Sequence, residues 1–197
     1  YDQKCTEIEM TNFIEPYKSE WKIEFENLKS VLSKILDGYE IDIQHVGSTA
    51  IPKLFAKPIL DIDIIINNKD HLNEITSKLE KFGYKNKGEQ GISGRFAFRQ
   101  ISTLTPKTNH NKKWQKHHLY VCFSDSLALK NHLLFRDVLL VDKKLANEYS
   151  LLKIKLMKEK NMTKEKYTRQ KTNFIIAVLA SSGLDENELN EITKVNV

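Results

Sequence analysis

Residues 45–66 read HVGSTAIPKLFAKPILDIDIII, and they hold the side chains whose types and spacing suit chemistry. Asp61 and Asp63 stand two apart inside an apolar run. On a strand, alternation sends both carboxylates to one face and Leu60, Ile62 and Ile64 to the other. Two carboxylates about 7 Å apart along a strand repel each other unless a cation lies between them. Mg²⁺, or Mn²⁺ in its place, suits that role, because Mg²⁺ takes one or two carboxylates and fills its shell with phosphate oxygens and water. Upstream, Gly47 and Ser48 follow another apolar run, with Thr49 next in line. Glycine lets the backbone approach a ligand closely, and N–H groups with a serine hydroxyl can hold a phosphate. Together these features describe a phosphate cradle facing a metal site, the apparatus for nucleotidyl transfer from an NTP. Alone, a Gly-Ser pair signals nothing, and Asp-x-Asp alternates on many solvent-facing strands. Their coupling inside an apolar context is the informative feature.

The elements that must position these residues follow from periodicity. Residues 16–36 put Trp21, Phe25, Leu28, Leu32 and Ile35 on one helical stripe, with Pro16 suited to the first turn and Asp37-Gly38 as the stop. Residues 41–46 and 58–66 read as strands. Residues 70–82 have helical spacing and end at Gly83. Short extended runs follow at 84–87, 95–101 and 117–123. In RFAFRQI, Phe96, Phe98 and Gln100 alternate with Arg95, Ala97 and Arg99, so one face is polar. Residues 103–116 are polar, carry Pro106 and read as a mobile loop or lid that Trp114 can pin. Helices are expected at 126–140, 142–160 and 163–182. The expected fold is α+β: a mixed β-sheet packed with helices, followed by C-terminal helices. The whole chain, 1–197, reads as a single domain, with the N-terminal helix and sheet core in 12–125 and a helical part in 126–183.

Composition narrows the classes. Apolar residues make up 40% and charged ones 29%, too rich a mixture in core formers for a disordered chain. No run reaches the roughly 20 apolar residues of a membrane helix, and residues 1–10 lack a secretory pattern. Two cysteines, Cys5 and Cys122, sit in unlike contexts and form neither a disulfide framework nor a zinc spacing. A cytoplasmic, reducing compartment is the default expectation. The net charge of +5 raises nucleic acid as a partner. However, Lys residues alternate with Glu along the helices, as in KEKNMTKEKYTRQK, which suits a solvated face better than a phosphate-tracking stripe.

The string Gln44-His45-Val46-Gly47-Ser48-Thr49-Ala50-Ile51-Pro52, followed by Ala56-Lys57-Pro58-Ile59-Leu60-Asp61-Ile62, resembles the signature of the GrpB family. That family is a branch of the nucleotidyltransferase-like superfamily and also occurs fused to dephospho-CoA kinase. The resemblance continues at His117–Val121, at Leu134-Phe135-Arg136-Asp137, at Tyr149 with Leu152-Lys153, and at Tyr167 with Lys171. It implies a minimal nucleotidyltransferase sheet, with Gly47 and Ser48 on the triphosphate and Asp61 and Asp63 on divalent metal. It also favours a phosphate role for Lys57 over a solvated charge. Two departures stand out. Lys53 occupies a position where the family commonly has glycine. The superfamily's third carboxylate has no match, with His118 and Tyr120 standing where it is expected.

Several side chains keep two readings. His45 serves as a structural histidine or as a site residue. Only one of His117 and His118 can share the aspartates' face, and His118 is preferred, as metal ligand or proton acceptor. Arg136 either clamps phosphate or forms a structural ion pair with an acid. Lys153 and Lys171 are phosphate candidates on helices whose tyrosines also read as core. The leading expectation is Mg²⁺-dependent transfer of a nucleoside monophosphate from an NTP to a hydroxyl or phosphate acceptor. The alternative is a non-catalytic nucleotide- or CoA-related binding module. The expected partners are a nucleotide and an acceptor that the sequence does not identify, with no membrane. Oligomeric state is not legible in the sequence.

Overall fold

The structure is a computed structural model that describes residues 14–195. Cys5 lies outside the described residues. Helix α1, Glu20–Ile35, buries Trp21, Phe25, Leu28, Leu32 and Ile35 along one stripe. It starts later than the sequence suggests. Glu15 and Ala56 exchange backbone hydrogen bonds of 2.9 and 3.0 Å, so the chain before the helix is extended and Pro16 lies outside the first turn.

Five strands form one mixed sheet: β1, Ile41–Val46; β2, Leu60–Ile66; β3, Tyr84–Asn86; β4, Arg95–Gln100; and β5, His117–Phe123. Their order is β1-β2-β5-β4-β3. Only β2 and β5 run parallel, and a parallel pair needs a long crossover. Helix α2, Leu72–Lys81, and the β3–β4 pair lie in that crossover. β2 starts at Leu60 rather than at residue 58, because the Ile59 N–H turns back to the Lys57 carbonyl at 2.7 Å.

One face of the sheet is the core. Ile62, Ile64, Leu119 and Val121 pack with Leu28, Leu32, Ile75 and Leu79, all fully buried. Each such side chain contributes roughly 1.5–3 kcal/mol through burial. The opposite face carries Asp61 and Asp63 beside His118 and Tyr120 of β5, in register. The next strand places Arg99 beside His118 and Ala97 beside Tyr120.

Helices α3, Leu127–Val141, α4, Lys143–Lys158, and α5, Lys164–Ser181, match the expected spans to within about two residues. A further helix, α6, Glu186–Val195, lies beyond the expected end of the helical part. Its signal is present in the sequence. The Asp185 carboxylate accepts from Asn187 and Glu188 N–H, while Glu188 Oε2 accepts from Asp185 N–H, a reciprocal cap. No helix among the described residues is long and apolar enough to cross a membrane.

Candidate functional site

The turn after β1 sets the geometry. Gly47 has φ 69 and ψ −170, a conformation that is essentially restricted to glycine. A Cβ at this position would collide with Asp61 Oδ2. The backbone of the turn therefore lies directly against the first carboxylate. Ser48 opens a short 3-10 turn, Ser48–Ala50. Thr49 is buried, and its hydroxyl is engaged with His45 Nε2 at 3.0 Å and with the Ile59 carbonyl at 3.4 Å.

Lys153 reaches Ser48 from the helices. Lys153 Nζ of α4 donates to Ser48 Oγ at 3.0 Å and to the Phe55 carbonyl. Tyr149, one turn earlier, also hydrogen-bonds Ser48. Across from them on α5, Lys171 lies 5.3 Å from the centroid of the Tyr167 ring, and Lys57 lies 5.9 Å from the same centroid. Lys153 is 2% exposed. Burial, reinforced by the charge of Lys171, pushes its pKa down to about 7. Burial also lowers the Lys171 pKa, against the opposing attraction of Asp61. Buried Lys153 therefore meets the Gly47-Ser48 turn, with half-buried Lys171 close enough for its charge to act on Lys153.

On the other flank of Asp61, His118 Nδ1 lies 2.9 Å from Asp61 Oδ1, and both side chains are partly exposed. Asp63 is fully buried, and its Oδ2 accepts from His132 Nδ1 of α3 at 2.8 Å. Burial opposes charge on His132, but the charge of Asp63 and its hydrogen bond outweigh that and raise the His132 pKa. Asp63 Oδ1 is buried with no hydrogen-bond partner among the described residues. Arg95 lies over the Tyr120 ring, 4.6 Å from its centroid, and extends this polar layer.

The two carboxylates fit a divalent cation through their oxygens. Asp63 Oδ1 lacks a partner, and Asp61 Oδ2 faces the Gly47 turn on the same sheet face. Among the described residues, no group of three or more His, Cys, Asp or Glu side chains is arranged to hold a metal. A cation held by this pair must complete its shell with substrate oxygens and water, a shell that Mg²⁺ accepts.

Residues 12–181 match the family model described as GrpB protein. The chain belongs to the GrpB family. It is 31% identical over 159 residues to protein YqkA of Bacillus subtilis, covering 81% of this chain and 43% of YqkA, so it spans under half of that relative. It is 29% identical to glutamate-rich protein GrpB of Alkalihalophilus pseudofirmus, covering 83% of this chain and 91% of that one. Among solved structures, conserved protein GrpB from Enterococcus faecalis superposes with a TM-score of 0.69 at 26% identity, covering 92% of this chain and 98% of that one. The Cid1 poly(U) polymerase, solved as an H336N mutant bound to MgATP, superposes with a TM-score of 0.58 at 16% identity, covering 89% and 55%. At that identity the likeness shows the fold alone, which is nucleotidyltransferase-like.

In this GrpB chain Gly47 lies against Asp61, His118 meets Asp61 and Lys153 meets Ser48, while the charge of Lys171 acts on Lys153 and that of Asp61 on Lys171. Arg136 sits elsewhere. Its Nη1 donates to Gln44 Oε1 at 2.7 Å and to the His45 carbonyl at 3.1 Å, and its Nε donates to Asp137, so it ties α3 to β1. His45 stacks on Phe25, and burial lowers its pKa to about 4. His117 is buried against the Tyr84 hydroxyl at 2.7 Å. Trp114 anchors the loop after β4, donating to the Pro106 carbonyl at 2.8 Å. His132, absent from the sequence reading, lies one helical turn before Arg136. That i, i+4 relation put it on the same side of α3, facing the sheet.

Proposed function

We propose that this GrpB chain is a divalent-metal-dependent nucleotidyltransferase that moves a nucleoside monophosphate from an NTP to a hydroxyl acceptor. The observation that carries this reading is the Lys153–Ser48 contact: a buried lysine, pressed by Lys171, aimed at the turn that shields Asp61. Burying the Lys153 ammonium is costly, and the phosphates of a nucleotide relieve that cost. The Gly47-Ser48 turn, Lys153, Lys171 and Lys57 bind the triphosphate. Asp61 and Asp63 hold Mg²⁺ or Mn²⁺, which when bound neutralises charge on the transferring phosphate.

With Asp61 accepting from the His118 Nδ1–H, the Nε2 lone pair takes the acceptor's hydroxyl proton. The acceptor oxygen forms a bond to the α-phosphorus, the bond from that phosphorus to the β-phosphate bridge breaks, and pyrophosphate leaves. A second reading, a nucleotide-binding module without catalysis, draws on His118 and Tyr120 standing beside the aspartates where a third acid is expected.

Incubation with each NTP, Mg²⁺ or Mn²⁺ and a metabolite pool tests both. Pyrophosphate release that vanishes in Asp61→Asn/Asp63→Asn supports the transferase. Nucleotide binding without release supports the module. Turnover retained in the variant removes the metal-acid assignment.

A further inference from the structure

The Gly47-Ser48 turn and Lys153 lie on the β1 flank of Asp61. The opposite flank, along β5 and β4, holds a separate cavity of about 600 Å³. His118 lines it, and the same imidazole meets Asp61 at 2.9 Å. Tyr120 and Ala97, neighbours in register, also line it. The small Ala97 leaves room that a longer side chain would fill. Lys87, Arg99 and Lys116 line the same space, and all three are exposed. Among the described residues that line the cavity, none is acidic. No carboxylate among the described residues pairs with these three cations. The whole chain mixes 31 basic with 26 acidic residues, so an acid-free basic cavity departs from its general pattern.

Displacement at phosphorus needs the entering and leaving oxygens roughly in line. With the triphosphate on the β1 flank, the acceptor has to enter from the β5 flank. We infer, resting on the transferase reading, that this cavity is the acceptor subsite and that the acceptor is a small hydroxyl compound carrying a phosphate group. Lys87, Arg99 and Lys116 hold that phosphate and turn the hydroxyl toward His118. The volume is that of a small-molecule site, roughly 300–1,000 Å³. Trp114 lines the space, held by its backbone N–H to the Thr103 carbonyl at 2.8 Å.

The first readout needs no NTP. Ribose 5-phosphate, inorganic phosphate and uncharged ribose are titrated into the full chain while NMR follows the Trp114 indole and His118 imidazole signals. The expected result is that both phosphate probes shift these signals and ribose does not. In Lys87→Gln/Arg99→Gln/Lys116→Gln, with circular dichroism confirming the fold, ribose 5-phosphate binds at least about tenfold more weakly. ATP binding stays within about twofold of wild type in that variant and weakens in Ser48→Ala. Equal sugar-phosphate binding by the triple variant, or none by wild type, overturns the subsite and leaves the transferase reading standing. Subsite binding with no pyrophosphate release from any NTP overturns the acceptor role and the transferase reading together. Steeply salt-dependent binding of a short single-stranded RNA through the same three cations, with no shift from ribose 5-phosphate, overturns the small-molecule assignment.

Discussion

His132 Nδ1 meets Asp63 Oδ2 at 2.8 Å, joining α3 to the middle of β2 through a fully buried carboxylate. Removing the imidazole strands that carboxylate. His132→Ala is expected to lower the unfolding free energy by about 3 kcal/mol, the low end for breaking a buried pair, because His132 keeps partial exposure. Asp63→Asn in the same background recovers much of the loss. Mg²⁺ raises the Tm of His132→Ala but not that of the double variant. Chemical denaturation and thermal melts with and without Mg²⁺ decide it.

Lys153 predicts a pH dependence of stability. The unfolded side chain titrates near its ordinary 10.5 and the folded one near 7. Between these values the unfolded chain binds the extra proton, so stability rises with pH across that window, and the native penalty is complete below it. Lys153→Met is expected to flatten this rise. The same group makes ATP binding at about pH 8 take up a proton, as phosphate charge near Ser48 restores the ammonium. Calorimetry in buffers of different ionisation heats measures that uptake, and a buffer-independent binding heat contradicts it.

Gly47→Ala tests the approach of the turn to Asp61. The added methyl collides with Asp61 Oδ2, and the backbone there is strained for any L side chain. A loss of about 1–3 kcal/mol in stability is expected, together with loss of nucleotide binding. Nucleotide affinity equal to wild type in this variant argues against the turn as the phosphate cradle.

Lys53 takes φ 67, a left-handed conformation. That conformation suits the glycine that the family resemblance leads one to expect there. Lys53→Gly relieves about 1–2 kcal/mol of strain and loses roughly 0.5–1 kcal/mol to the looser unfolded chain. A small net stabilisation is expected in urea titrations, with no change in the denaturant slope.

Much of this protein was legible before any coordinates. The stripe from Trp21 to Ile35 marks a helix, and alternation sets Asp61 and Asp63 on one face with Ile62 and Ile64 on the other. Those signals are local, because dihedral preference and side-chain periodicity act over a few residues. Pro16 misled because a bridge to Ala56, forty residues away, governs its neighbourhood. The site itself is assembled across distance. Asp61 and His118 are 57 residues apart, Asp63 and His132 are 69 apart, and Ser48 and Lys153 are 105 apart. No periodicity encodes such pairs. Sheet order and the path of α3 across the polar face chose them, which is why Arg136 ties α3 to β1 while Lys153 reaches Ser48. The sequence alone determined which residues can bind phosphate or metal, since chemistry belongs to side-chain type. Only the tertiary structure decided which of them meet, since packing an apolar core fixes where each polar group is left.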